Sequence, residues 1–235
     1  MDLEQRRAEL AANLAKVRAR LTAACDAAGR ERGEVTLVAV TKTFPASDAI
    51  TLTGLGVPDI GENRDQEAAP KAAELAKAGV DVRWHFVGRL QRNKCRSVVG
   101  YADLVHSVDR LTIVDALARA AAGRPEPLEV LIQVSLDGDP RRGGMPIPGV
   151  ADLADQVADR ELLRLRGVMA VIPLGSDPDV EYQRLWRVAV ELRQAHPGAT
   201  VVSAGMSGDL EAAIRHGATH VRVGTALLGS RPPLR

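Results

Sequence analysis

Thr36-Leu37-Val38-Ala39-Val40-Thr41-Lys42 decides how this chain is read. Four consecutive apolar residues, two of them β-branched, describe a short strand covered on both faces, as in a parallel sheet. The run ends on a lysine. An amine delivered at the C-terminal end of a buried strand loses part of its hydration beside apolar walls. That favours the neutral, nucleophilic form and suits it to Schiff-base chemistry with an aldehyde.

The same grammar extends outward in both directions. Upstream, Leu3, Leu10, Leu14, Val17 and Leu21 share one helical stripe between Arg, Glu and Lys, which predicts an amphipathic helix ahead of the strand. Downstream, β-branched segments predict strands at 59–63, 83–88, 104–109, 129–136, 165–172, 200–205 and 220–224. Helical stretches at 46–55, 65–78, 93–99, 110–122, 150–159, 180–195 and 207–216 separate them. Eight strands alternating with seven helices predict a (β/α)8 barrel in place of an open doubly wound sheet. No linker rich in Pro, Gly and Ser divides the chain, so residues 1–235 read as a single domain.

Composition narrows the function. The chain has 235 residues, 46% of them hydrophobic, enough for a sizeable core. Its 31 basic and 30 acidic residues leave a net charge of +1, so no general attraction to nucleic acid or an anionic membrane is expected. Any anion must be held locally. Cys25 and Cys95 lie far apart without a ligand cluster, which suits free thiols in a reducing compartment. The start, Met1-Asp2-Leu3-Glu4-Gln5-Arg6-Arg7, is charged and unlike a signal peptide, and no apolar run approaches the roughly 20 residues that span a bilayer. A cytoplasmic protein is expected. His106, His196, His216 and His220 lack metal-ligand spacing, so no metal site is expected.

Sites of barrel enzymes lie at the C-terminal ends of the strands. Here those ends offer Lys42, Glu62 with Asn63, His85, Ser107 with Asp109, Ser135, Met169, Ser203, and Arg222 with Gly224 and Thr225. Ser203-Ala204-Gly205-Met206-Ser207-Gly208-Asp209-Leu210 turns from a strand into a helix through glycines. Ser207 suits the N-cap, with free amides that fit a phosphate. Arg222-Val223-Gly224-Thr225 adds amides and a hydroxyl on the adjacent loop. Arg222 alternates with two valines and so faces the interior or the mouth. There it either pairs with a barrel acid such as Glu62 or Asp109, or meets a ligand's ring nitrogen or acid group. His85 reads as a proton carrier, a hydrogen-bonding wall or a structural residue. Arg141-Arg142-Gly143-Gly144 reads as a flexible, solvated basic loop or a lid over the mouth.

Five ordered motifs then point to a family. They are Val40-Thr41-Lys42-Thr43; Gly61-Glu62-Asn63 with Gln66-Glu67; Trp84-His85-Phe86-Val87-Gly88 with Leu90-Gln91 and Asn93-Lys94; Gly205-Met206-Ser207 with Asp209-Leu210-Glu211-Ala212-Ala213; and Val221-Arg222-Val223-Gly224-Thr225-Ala226 with Gly229. With these the chain resembles the pyridoxal phosphate homeostasis protein family. The resemblance implies a fold-type III barrel like the N-terminal domain of alanine racemase, holding pyridoxal 5'-phosphate (PLP) as a Schiff base on Lys42. It also implies that Ser207, Gly224 and Thr225 hold the phosphate, with Met206 and Ser203 lining that loop. Arg222 would face the pyridine nitrogen, Asn63 would lie beside the cofactor, and His85 would belong to the site in a less defined role. Two departures stand out. Arg64 occupies a position where many relatives carry an aromatic residue, and the loop 137–144 lacks the usual serine, glutamate and lysine pattern.

An arginine at the ring nitrogen disfavours its protonation and weakens the ring as an electron sink. The sequence stops at Arg235, soon after the last strand, so no second β-rich domain is expected, and Tyr101 and Tyr182 lie away from strand ends. These readings favour a monomeric PLP carrier that buffers the cofactor or delivers it to apo-enzymes, without robust turnover. A PLP-dependent amino-acid racemase or other PLP enzyme is the alternative. A third reading is a barrel enzyme that binds a sugar phosphate through a lysine Schiff base and needs no cofactor.

Overall fold

The computed structural model describes residues 2–139 and 141–229; Met1, Pro140 of the basic loop and residues 230–235, including Arg235, lie outside the described residues. Eight strands are β1 (Thr36–Val40), β2 (Asp59–Glu62), β3 (Arg83–Phe86), β4 (Leu104–Val108), β5 (Leu128–Ser135), β6 (Leu163–Met169), β7 (Val201–Ser203) and β8 (His220–Val223). Each pairs in parallel with the next, and β8 returns to β1, closing the barrel. A two-residue strand, Met145–Pro146, adds to β5 outside the ring. Several strands stop short of their expected ends, so Lys42, Asn63, Gly88 and Gly205 belong to loops.

The surrounding helices are α1 (Leu3–Ala27), α2 (Ala46–Gly54), α3 (Asp65–Lys77), α4 (Cys95–Val99), α5 (Leu111–Ala120), α6 (Val150–Ala158), α7 (Pro178–Ala195), α8 (Leu210–Arg215) and α9 (Thr225–Leu228). Local signals place some of the boundaries. Asp177 caps α7 by accepting from the Asp179 amide, and Pro178 supplies a preset first turn. On α1, Leu10, Leu14, Val17 and Leu21 are buried among Leu37, Ala39, Val221, Val223 and Leu227. Each such side chain contributes about 1.5–3 kcal/mol through burial. Leu3, expected on the same stripe, is 75% exposed in the first turn of α1. Because α9 is a single turn, α1 fills the wall beside α8 and α2 where a full final helix would pack.

Side chains separate into an outer and an inner layer by the two-residue period of the strands. Val221 and Val223 pack outward on helices. Leu104, Leu131, Met169 and Val201 form a small apolar cluster of their own. At the β6–β7 contact the backbones approach so closely that a Cβ on Gly167 would overlap the Val201 carbonyl, and its φ of +146° disfavours any side chain. Gly167→Ala is therefore expected to cost about 2–3 kcal/mol. Urea unfolding should show this, with Gly33→Ala, where an added Cβ meets nothing, close to wild type.

Candidate functional site

The peptide that precedes Lys42 is tied down on every side. Thr41 N–H donates to the Gly61 carbonyl at 3.0 Å, and the Thr41 carbonyl accepts from the Phe44 amide at 3.1 Å and from Lys71 Nζ at 2.8 Å. Thr41 Oγ1 donates to Glu62 Oε1 at 2.6 Å, and Lys71 forms an ion pair with the same carboxylate. Lys71, 7% exposed, reaches in from α3, and Glu62 is fully buried on β2. Desolvating both charges is costly, so such a pair persists only where further hydrogen bonds complete it. Those bonds here end on the strand that presents Lys42.

Lys42 itself is half-buried at the corner of the turn closed by the Phe44–Thr41 bond. The next residue, Thr43, has a φ of +69°, a left-handed backbone that a β-branched residue adopts at a cost of about 1–3 kcal/mol. Its amide donates to Glu67 Oε2 at 3.0 Å, which helps to hold that conformation. On the neighbouring strand end, Asn63 is crowded by the loop after β3, since a Cβ on Gly88 would overlap the Asn63 carbonyl. Among the described residues, Asn63 Oδ1 and Thr43 Oγ1 are shielded from solvent and lack a hydrogen-bond partner. Buried polar atoms seldom stay unpaired, so their position beside Lys42 fits a polar ligand.

Beside the end of β1, the loops after β7 and β8 are joined. Ser207 Oγ accepts from the Ala226 amide at 3.4 Å, and the Ser207 carbonyl accepts from Arg20 of α1 at 3.0 Å. Gly205 has a φ of +89° and would place a Cβ 2.6 Å from Ala213 Cβ, so the turn requires glycine. Asp209 shapes that turn by accepting from the Met206 amide at 2.6 Å and from the Tyr182 hydroxyl at 2.8 Å. Helix α8 begins at Leu210 with Asp209 at its N-cap position. Ser207 is thus a turn residue that links two loops, and the expected helix cap is corrected. Gly224 lies against β1, where a Cβ would sit 3.3 Å from the Val40 carbonyl. Met206 and Thr225 are exposed beside it. Ser207, Gly224 and Thr225 therefore gather in one place next to the end of β1.

His85, Ser203 and Arg222 lie deeper. Arg222, 5% exposed, donates to Ser203 Oγ at 2.6 Å and to the Ala170 carbonyl at 2.9 Å. Neither Glu62 nor Asp109 is its partner, because Glu62 pairs with Lys71 and Asp109 with Arg110. Ser203 is fully buried beneath the loop it was expected to line and also contacts His106 Nδ1 at 2.9 Å. His85 contacts His106 Nε2 through Nδ1 at 2.9 Å, and Asp59 through Nε2 at 2.9 Å. Both ring nitrogens of His85 are thus engaged inside the barrel, which makes it a wall and removes it as a proton carrier at the mouth. Burial pushes the pKa of His106 well below that of an ordinary histidine. Burial, with His85 nearby, pushes His220 down to about 3. Burial also lowers Arg222.

Other candidates fall away from the chemistry. Burial pushes the Cys95 thiol up to about 11 and raises Cys25 as well, so neither is a ready thiolate. It also lifts both tyrosine hydroxyls above their ordinary range. In the basic loop, expected to be solvated and flexible, Arg141 is solvated and pairs with Asp139, whereas Arg142 folds back. Arg142 pairs with Asp137 and donates to the Val171 and Ile172 carbonyls at 2.9 and 2.7 Å, while a Cβ on Gly144 would sit 2.8 Å from the Ser135 amide. Two cavities flank Arg89 at the mouth, one of about 480 Å³ reaching Asn63 and Lys94, the other of about 290 Å³ reaching Ser135 and Met169. A third, of about 510 Å³, lies among Arg83, Arg124 and Glu129 at the opposite face and has no part in the site. Among the described residues, no group of three His, Cys, Asp or Glu could hold a metal ion, and no helix is long and apolar enough to cross a membrane.

Sequence reasoning missed Lys71, His106 and Asp59. Lys71 sits in an alanine- and charge-rich helix where a solvated lysine is the default. The available signal was Glu62, a buried strand-end acid that needed a cation.

Comparison with known proteins places this geometry. The family model described as alanine racemase, N-terminal domain, matches residues 8–232. The pyridoxal phosphate homeostasis protein of Mycobacterium leprae is 46% identical over 246 residues, covering 97% of this chain and 96% of that protein. That of Escherichia coli K12 is 39% identical over 231 residues, covering 95% and 97%. PipY of Synechococcus elongatus, solved with PLP bound, superposes with a TM-score of 0.82 at 33% identity, covering 94% of this chain and all of that one (100%). Alanine racemase of Corynebacterium glutamicum shares the fold at 16% identity, with a TM-score of 0.68 over 97% of this chain and 63% of that one.

Two outcomes follow from the buried charges. Lys71→Met leaves Glu62 unpaired and should cost about 3–5 kcal/mol in urea unfolding, whereas the double variant Glu62→Gln/Lys71→Met should recover most of that loss. For pH, His106 and His220 stay neutral when folded but take up a proton at about 6.5 when unfolded, so the unfolded chain binds more protons below that pH. Stability should therefore fall on acidification from about pH 7 to about pH 5, by about 2 kcal/mol for each ring, and His220→Gln should flatten the profile.

Proposed function

The chain belongs to the pyridoxal phosphate homeostasis protein family, and from that premise we propose that it binds PLP through Lys42 and serves to buffer the cofactor or deliver it to apo-enzymes. The observation that carries this reading is the alignment of three preformed parts at one barrel mouth. These are the Lys42 turn braced by Glu62 and Lys71, the joined loops of Ser207 and Gly224, and the buried Arg222 between their strands. PipY, which has the same fold, is described with PLP bound.

In this reading Ser207, Gly224 and Thr225 hold the phosphate with Met206 alongside, and Asn63 contributes its unpaired Oδ1 near the lysine. PLP supplies an aldehyde for a reversible Schiff base and a ring that stabilises negative charge. Arg222 would limit the second property, because a fixed cation beside the ring nitrogen would disfavour its protonation. Racemisation also needs a proton carrier on each face of the cofactor. The tyrosines do not supply one, since both are raised by burial and Tyr182 is bonded to Asp209. Ser203 and His85 support the site from within the barrel. We read the chain further as a single-domain, cytoplasmic monomer.

Purified protein with PLP should show a visible absorbance band that Lys42→Ala abolishes, with affinity reduced on the order of a hundredfold, about 2.7 kcal/mol. Identical spectra and affinities for the two proteins would overturn the tether. Transfer to an apo-enzyme, with free PLP scavenged, should outpace spontaneous release if the protein delivers and match it if the protein only buffers. Lys42-dependent exchange of an amino acid's α-proton in heavy water would place the protein among the PLP enzymes instead.

A further inference from the structure

Between the mouth and the opposite face, the barrel contains an unbroken series of polar contacts that the function described above does not require. It runs from Arg222 to Ser203, His106, His85 and Asp59, with steps of 2.6, 2.9, 2.9 and 2.9 Å. Ser203, His106 and the His85 ring are buried, while the Asp59 side chain is 18% exposed at the far end.

With both rings neutral, the chemistry of the two ends fixes every proton between them. An ionised carboxylate only accepts, so His85 Nε2 must carry a proton and donate to Asp59. A neutral His85 then accepts at Nδ1, which makes His106 the donor there through Nε2. A neutral His106 in turn accepts at Nδ1, and the Ser203 hydroxyl donates to it. Guanidinium only donates, so Arg222 gives its proton to the lone pair that Ser203 has left. All four bonds point the same way. If His106 carried its proton on Nδ1 instead, the buried Ser203 hydroxyl would lose its acceptor, and His106 and His85 could no longer each donate onward.

The surroundings favour a neutral His106, on which this direction depends. Arg83 and Arg166 flank the lower end, each paired with Glu129, and the His220 ring lies 6.0 Å from that of His85. A proton added to His106 would face Arg222 and Arg83, and among the described residues Asp59 is the one acid bonded to the series.

We propose that Asp59, His85, His106 and Ser203 form a one-directional hydrogen-bond chain that acts as a set of positioning residues for Arg222, so that a carboxylate at one face of the barrel sets the orientation of the guanidinium at the other. The consequence for function rests on Arg222 lying beside the cofactor ring, as the proposed function has it. Ser203 and the Ala170 carbonyl together hold the plane of the guanidinium, and the chain removes the freedom of Ser203 to turn.

The test separates the chain from the cofactor reading. In cofactor-free protein labelled with ¹⁵N, ring-nitrogen correlation spectra should show His85 and His106 each as a single neutral tautomer with the proton on Nε2. In Asp59→Asn, whose amide offers a donor as well as an acceptor, His106 should lose that single tautomer, and Asp59→Glu should restore it. With PLP added, Asp59→Asn should shift the absorbance of the bound cofactor and weaken its affinity about threefold to tenfold. Val201→Ala, an apolar change inside the barrel, should do neither. Wild-type His106 protonated on Nδ1 would overturn the chain. A tautomer change in Asp59→Asn without any effect on bound PLP would overturn the positioning of Arg222. Wild-type protein that shows the expected tautomers but binds no PLP would overturn the proposed function and leave the chain standing.

Discussion

The carbonyl of Thr41 is the fixed point of this molecule. It directly follows the first strand and receives both the Phe44 amide that closes the Lys42 turn and the ammonium of Lys71, itself paired with Glu62. An ion pair in a core is seldom a net source of stability, because hydrophobic replacements often do as well. Its value here is directional. A methionine and a leucine would fill the same volume, but they would take from Thr41 the Lys71 donor to its carbonyl and the Glu62 acceptor of its hydroxyl, and leave the left-handed Thr43 without a rigid neighbour.

A second constraint comes from barrel geometry. Closing eight parallel strands leaves an interior that side chains must fill, and alternation sends Arg222 into it while Val221 and Val223 face the helices. Among the described residues, no carboxylate is bonded to that guanidinium; a hydroxyl and a main-chain carbonyl accept from it instead. The interior is thus partly apolar, through Leu104, Leu131, Met169 and Val201, and partly a polar column that continues to the floor. The mouth and the floor are parts of one hydrogen-bonded object.

Much of this was legible in the sequence. The eight strands could be read because each is a short β-branched run between helical periods, and the closed parallel order follows from that alternation. Lys42 draws attention as an amine closing a buried strand, and Ser207, Gly224 and Thr225 because they follow strands in glycine-containing turns. The rest depends on three-dimensional pairing that spacing does not encode. Ser207 looks like a helix cap, yet Asp209, tied to Tyr182, moves the start of the helix. His85 seems to face the mouth at the end of its strand, but its partners, Asp59 and His106, come from adjacent strands and draw it inward. Arg141 and Arg142 look solvated because their local context is Gly and Pro, whereas Arg142 finds its acceptors some thirty residues away. Resemblance to a family raised the site residues as a set, but it did not distinguish those at the mouth from those below it.

Helix α1 brings a consequence of another kind. It packs against the final strand and the short α9, with Asn13 bonded to the Leu227 carbonyl, Arg6 to that of Leu228 and Arg20 to that of Ser207. Helix α1 is thus completed by elements 214 and 222 residues further along the chain. Residues of β1 and α2 cover part of its buried stripe early, but the rest stays uncovered until Val221, Val223 and Leu227 arrive, a long-range closure of the kind that slows folding. A ribosome that stalls before β8 therefore releases a chain whose leading helix shows its apolar stripe to other chains.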